Sequence, residues 1–299
     1  MTRVPPISAN PALAAVLTIA ASAFAAGTTL LAKALGTGAL GPELHPLQIS
    51  HGRFLFAFLA ISGVAAMMRP TISRPAWGLH VGRSTFGWGG VSLMFAAAAF
   101  IPLSDATAIS FLNPVVGMLL AIPFLGERIG PWRWGSAAIA FCGALVLVRP
   151  GAGSLEFGAL LALGAALSMG AEVIFIKLLA GRERPFQILL INNAIGLFIS
   201  TCAALLVWRM PTAAQWAALA GIGVLMAMAQ TCFINAMARA DASFVSPFFY
   251  MTLAFAALYD ALIFGVHPDR VSWIGAGLVL TAAAILVWRE ARPRMHQIP

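Results

Sequence analysis

Ten acidic residues stand among 299, and one of them, Glu172, lies deep inside an apolar run. A carboxylate there costs roughly 2.5–3.5 kcal/mol on insertion scales, so it must face the protein interior or a wet cavity. In that setting it can hold a substrate amine or carry a proton, its acidity weakened by desolvation. The structural alternative is an acid satisfied by a neighbouring helix, with Lys177 just over a turn away. Lys33, His51 and Arg53 sit near the ends of two earlier runs. They are placed to attract a carboxylate or to close a gate, or, as simple anchors, to snorkel to the headgroups. His51 and Arg53 are two apart and cannot share a helix face, so at most one faces a path.

The amides Asn113, Asn192, Asn193, Gln230 and Asn235 also fall in apolar runs. Interhelical hydrogen bonds, worth about 0.6 kcal/mol each, are their default use. Asn113 stands apart because Pro114 follows it, and a proline ring inside a helix removes a hydrogen bond. Such breaks are tolerated where a cavity or a neighbour satisfies the freed backbone. Pro247, three residues before Tyr250, is read the same way. Phe24, Trp88, Phe95, Met169, Phe175, Phe248 and Tyr250 are the candidate walls of an aromatic-friendly cavity. Trp88 and Tyr250 lead, since each carries a polar handle within a span. No phosphate loop, dinucleotide fingerprint or nucleophile elbow is present. Cys142, Cys202 and Cys232 are isolated, without metal spacing. An ATP-driven pump is therefore disfavoured, and neither a cofactor nor a metal is expected.

The elements that must carry these residues follow from composition. Sixty-one per cent of the chain is hydrophobic and 9% is charged, against about a quarter charged in ordinary globular domains. The apolar runs predict an all-α polytopic membrane protein with ten helices, at 11–35, 47–68, 78–99, 105–124, 132–148, 156–179, 186–208, 213–237, 243–264 and 272–288. The first run, with Ala21-Ser22-Ala23, resembles a signal peptide. It is longer than a typical signal core and has a partner later in the chain, so it is read as a mature span. The net charge of +8 is dispersed among loops, which argues against a nucleic-acid partner. With a cytoplasmic N-terminus, twelve arginines fall on the inner side and Arg149, Arg209 and Arg270 on the outer. The positive-inside rule then puts both termini in the cytoplasm.

Self-similarity adds a second level of order. Lys33 matches Lys177, and His45-Pro46-Leu47-Gln48-Ile49 matches Arg184-Pro185-Phe186-Gln187-Ile188. Asp105-Ala106-Thr107 matches Asp241-Ala242-Ser243, and the Gly126–Gly135 connection matches 265–275. Five spans per half is an odd number, so the second half must insert upside down. The halves are 1–150 and 151–299. Inverted repeats of this kind build secondary transporters, with a substrate site near the midplane between them. Thr28 is the counterpart of Glu172, so the two halves are chemically unequal.

Asp105-Ala106-Thr107-Ala108, Asn113-Pro114-Val115 and Phe124-Leu125-Gly126-Glu127-Arg128 resemble the EamA domain of the drug/metabolite transporter superfamily. The whole chain is most similar to the bacterial ten-helix exporters of aromatic and other amino acids. Tyr250 and Gly265-Val266 depart from the pattern in the second copy. The resemblance implies a non-enzymatic exporter of small metabolites in the inner membrane, working by alternating access as a monomer or weak homodimer among lipids. The expected binding set is Phe24, Thr28, Trp88, Phe95, Asn113, Met169, Glu172, Asn235 and Tyr250, with Lys33, Arg53, Pro114 and Pro247 as gate or hinge. Export of drugs or organic cations on the same fold is the alternative, and a membrane enzyme or receptor is a distant third.

Overall fold

The computed structural model describes residues 9–36, 38–70, 72–97, 109–148, 157–264 and 270–291. Every regular element among them is helical: α1 (Pro11–Gly36), α2 (Pro46–Met68), α3 (Trp77–Ala97), α4 (Asn113–Leu125), α5 (Pro131–Val148), α6 (Phe157–Ala180), α7 (Pro185–Ala204), α8 (Ala213–Met237), α9 (Ala242–Val245), a 3₁₀ segment (Ser246–Tyr250), α10 (Met251–Phe264) and α11 (Arg270–Ala291). Five of them, α1, α2, α6, α7 and α8, are long and apolar enough to cross a membrane, and shorter apolar helices accompany them. The chain is thus an all-helical membrane protein.

Helix starts follow local chemistry. Pro11, Pro46, Pro131 and Pro185 open their helices, where a missing N–H is no loss and the fixed φ helps. Thr212 and Gln215 form a reciprocal capping box at the start of α8. Pro114 stands in the first turn of α4, just after a turn at 111–112 that follows helical residues 109–110; the span expected at 105–124 is interrupted there, and residues 105–108 lie outside those described. The run expected as one helix at 243–264 is broken at the 3₁₀ segment around Pro247. Ser22 of α1 donates to the carbonyl of Phe248 at 3.2 Å, satisfying backbone there from a neighbouring helix.

The tightest packing runs between helices far apart in the chain: α3 on α6, α1 on α8, α5 on α11, and α2 on both α7 and α8. Small residues make this possible, because lipid offers no hydrophobic drive and close van der Waals contact must supply the attraction. A Cβ at Gly90 of α3 would meet Met169 Cγ of α6 at 2.7 Å. One at Gly223 of α8 would meet the α2 backbone, with Ala57 N at 2.7 Å.

Two glutamines clasp the ends of the bundle in the same way. Gln48, at the start of α2, accepts from Arg209 N at 3.1 Å and donates to the carbonyl of Arg209. Gln187, at the start of α7, accepts from Ser73 N at 2.8 Å and donates to the carbonyl of Ser73 at 3.2 Å. Glu183 adds a cap for α3, taking Ala76 N at 2.6 Å, with His80 Nε2 2.9 Å from its other oxygen. Glu127, in the connection after α4, accepts from Ala242 N at 2.8 Å and Ser243 N at 3.0 Å. Arg133 joins Asp241 at 3.0 Å and Ser243 at 2.7 Å. Glu127 is therefore a cap for the start of α9. Glu127→Ala should cost about 1–2 kcal/mol, the upper range for a lost cap, and lower the melting temperature of the detergent-purified protein by several degrees. An unchanged melting curve would remove the capping role.

Candidate functional site

A cavity of about 270 Å³ lies at the centre of the bundle, bounded by α1, α2, α3, α4, α6, α7, α8 and the 3₁₀ segment. Its charged residues are Arg53 on α2, Arg83 on α3 and Glu172 on α6. Arg83 is 1% exposed. Its Nε lies 3.8 Å from Glu172 Oε1, and the Glu172 side chain retains 27% exposure, toward the cavity it lines. Glu172 also feels the charge of Arg53. The Arg53 guanidinium sits 4.3 Å from the centre of the Phe54 ring, within cation–π range.

Helix packing decides why these groups meet. Gly87 leaves room for the Glu172 carboxyl: a Cβ there would fall 2.8 Å from Glu172 Cδ. Gly196 of α7 seats the Phe54 ring, since a Cβ there would fall 2.2 Å from Phe54 Cε1. The neutral polar residues are largely engaged with each other. Ser84 Oγ donates to Asn192 at 3.1 Å, Asn193 donates to Gln230 at 3.0 Å, and Asn113 donates to the carbonyl of Ser110 at 3.0 Å. Trp88, Phe54, Phe233 and Phe249 supply aromatic surface, with Phe233 and Phe249 centred 4.6 Å apart.

Of the expected binding set, the cavity gathers Trp88, Asn113, Met169 and Glu172. Phe24, Thr28, Asn235 and Tyr250 are not among its walls. Thr28 is buried and donates to the carbonyl of Ala25 at 2.7 Å. Asn235 turns to Arg239 at the end of α8, 2.9 Å away. Tyr250 is fully buried against Phe111 and Phe141, and its hydroxyl donates to the carbonyl of Phe111 at 2.7 Å. Its polar handle holds the break in the helix to the segment before α4. The side chain of Phe95 lies outside the described residues.

Arg53, expected at the end of a span as a gate, lines the cavity. His51 faces α7 instead, 3.2 Å from Thr201 Oγ1. Lys33 is exposed at the end of α1. Lys177 does not serve Glu172; its Nζ donates to the carbonyls of Met237 at 2.8 Å and of Ala240. Arg83 is the charged residue the sequence reading missed, counted there with the loop charges; the walls Phe54, Phe233 and Phe249 were missed as well. It stands six positions into α3, between Gly82 and Gly87. A cation that far into an apolar helix and flanked by small residues is the signal that would have found it.

The class of this protein follows from fold and sequence together. Residues 12–149 and 156–288 match the EamA-like transporter family, and the chain belongs to that family. The chain is 35% identical over 245 residues to the riboflavin transporter of Rhizobium johnstonii, covering 80% of this chain and 78% of that one. It is 25% identical over 260 residues to the S-adenosylmethionine uptake transporter of Rickettsia bellii, covering 87% and 89%. One solved crystal structure superposes with a TM-score of 0.77 at 20% identity, over 92% of this chain and 98% of that one. The Rhizobium and Rickettsia relatives are transporters, not enzymes.

Proposed function

We propose that the protein is a secondary transporter carrying a flavin-like heteroaromatic metabolite by alternating access through the central cavity. In this reading the bundle has ten spans in two inverted halves, residues 1–150 and 151–299, in the inner membrane with both termini cytoplasmic. The observation that carries it is a cavity between helices of both halves, in which three charged groups sit among aromatic rings. The two separate family matches support the halves. So do the two glutamine clasps, which occupy corresponding places and bind corresponding connections of the opposite half. The excess of arginine on one set of connections supports the orientation.

For the solute, the names of the two relatives point one way. Riboflavin and S-adenosylmethionine share a fused nitrogen heterocycle on a hydroxylated five-carbon unit. Such a ring suits Trp88 and Phe54, and its polar edge suits the charged groups. Amino acid export is the second reading, favoured by the presence of both charge signs in one cavity, since a zwitterion has both ends to place. Purified protein in liposomes loaded with riboflavin should show saturable counterflow of labelled riboflavin. Counterflow of aromatic amino acids with no response to riboflavin would transfer the assignment to the second reading. Absence of both would remove each.

A further inference from the structure

Of the three charged residues that line the central cavity, two answer each other and one does not. Arg83 lies against Glu172, with Nε 3.8 Å from Oε1. Arg53 has no ion-pair partner and no hydrogen bond among the described residues. Its Nε is shut inside the protein. Its two terminal nitrogens are neither shut in nor bonded, and the half-buried side chain lines the cavity. The guanidinium packs over the Phe54 ring, 4.3 Å from its centre. Arg53 stands two turns inside α2, one of the helices long and apolar enough to cross a membrane. A cation at such a place is costly and is ordinarily paired. The lining carries two positive groups and one negative, so the cavity is left with positive charge in excess.

We propose that Arg53 is the anion-reading group of the transport site, and that the preferred solute carries an oxyanion, a carboxylate or a phosphate monoester, on its heteroaromatic body. This rests on the flavin reading above and narrows it to the anionic members of that class. An oxyanion supplies both things that Arg53 lacks. It accepts hydrogen bonds from the terminal nitrogens, and it balances the charge of the cavity in a setting of low dielectric. Hydrogen bonds between two ionised groups are roughly twice as strong as neutral ones. Glu172 does not bar an anion, because its charge is already set against Arg83. A neutral solute leaves the excess charge in place. A cationic solute adds to it, and must compete with Arg83 for the one carboxylate. The aromatic part of an anionic solute has Trp88, Phe233 and Phe249 to pack on.

The test is binding to the full chain purified in detergent, followed by flavin fluorescence, for two matched pairs. Flavin mononucleotide is set against riboflavin, and N10-carboxymethylflavin against its neutral amide. In one pair or both, the anionic member should bind roughly tenfold more tightly or better, the size of one charge-assisted hydrogen bond. The pair with the larger ratio names the oxyanion. Equal affinities within both pairs overturn the proposal and leave the flavin reading standing. If no flavin binds, the flavin reading falls and this one with it. Arg53→Gln should bring the ratio to near one, whereas Arg53→Lys keeps the charge and should keep most of the preference. A ratio unchanged in Arg53→Gln overturns the role of Arg53. Should that variant not fold, Arg53→Met takes its place under the same criterion.

Discussion

Arg83→Met is expected to abolish counterflow and to lower the melting temperature by about 5–10 °C. The guanidinium is buried and is the ion-pair partner of Glu172. Removing one member of a buried pair typically costs 3–5 kcal/mol, because the other charge is left uncompensated. The lower end applies here, since Glu172 keeps part of its surface in the cavity and Arg53 still acts on it. A double variant separates the two effects. Arg83→Met with Glu172→Gln removes both charges, so most of the stability should return while transport stays absent. If the double variant were no more stable than the single, the pair would not be the source of the loss.

The second large effect comes from two glycines whose substitutions look alike on paper. Gly223→Ala places a methyl 2.4 Å from Phe56 Cβ and 2.7 Å from Ala57 N. Backbone cannot step aside, so α8 and α2 must separate, at a cost of about 1–3 kcal/mol. Gly87→Ala places its methyl 2.8 Å from Glu172 Cδ. That carboxyl is the end of a flexible side chain and can shift at small cost while staying beside Arg83, but it then sits elsewhere in the cavity. Gly223→Ala should therefore lower the melting temperature by several degrees. Gly87→Ala should leave it near wild type and lose most counterflow. Thermal unfolding and counterflow measured on both proteins check this, and the reverse pattern would show that Glu172 is not held in a working position.

The helices were legible in the sequence because each is an uninterrupted apolar run between Pro, Gly and charge. Boundaries moved where a local signal competes with tertiary structure. Pro247 and Pro114 were both read as breaks, and each stands at an interruption, Pro247 in the 3₁₀ segment and Pro114 just after the turn at 111–112, because proline marks the end of one hydrogen-bond ladder and the start of another equally well. At the site, Glu172 was visible by its cost in an apolar run. Arg83 was not, because a cation six residues into a helix reads as an anchor unless its burial is known. Tyr250 and Asn235 were given to the cavity by residue type, but which face of a helix meets the path depends on neighbours that no single segment contains.

The packing of distant helices also bears on how the chain is made. Among the described residues, α1 to α5 touch one another hardly at all; their close partners are α6, α7, α8, α10 and α11. When synthesis reaches the connection after α5, the grooves at Gly87 and Gly90 still lack the helix that fills them. In the ten-span reading proposed above, lipid occupies those grooves until the later helices arrive, and assembly must then expel it in a late step.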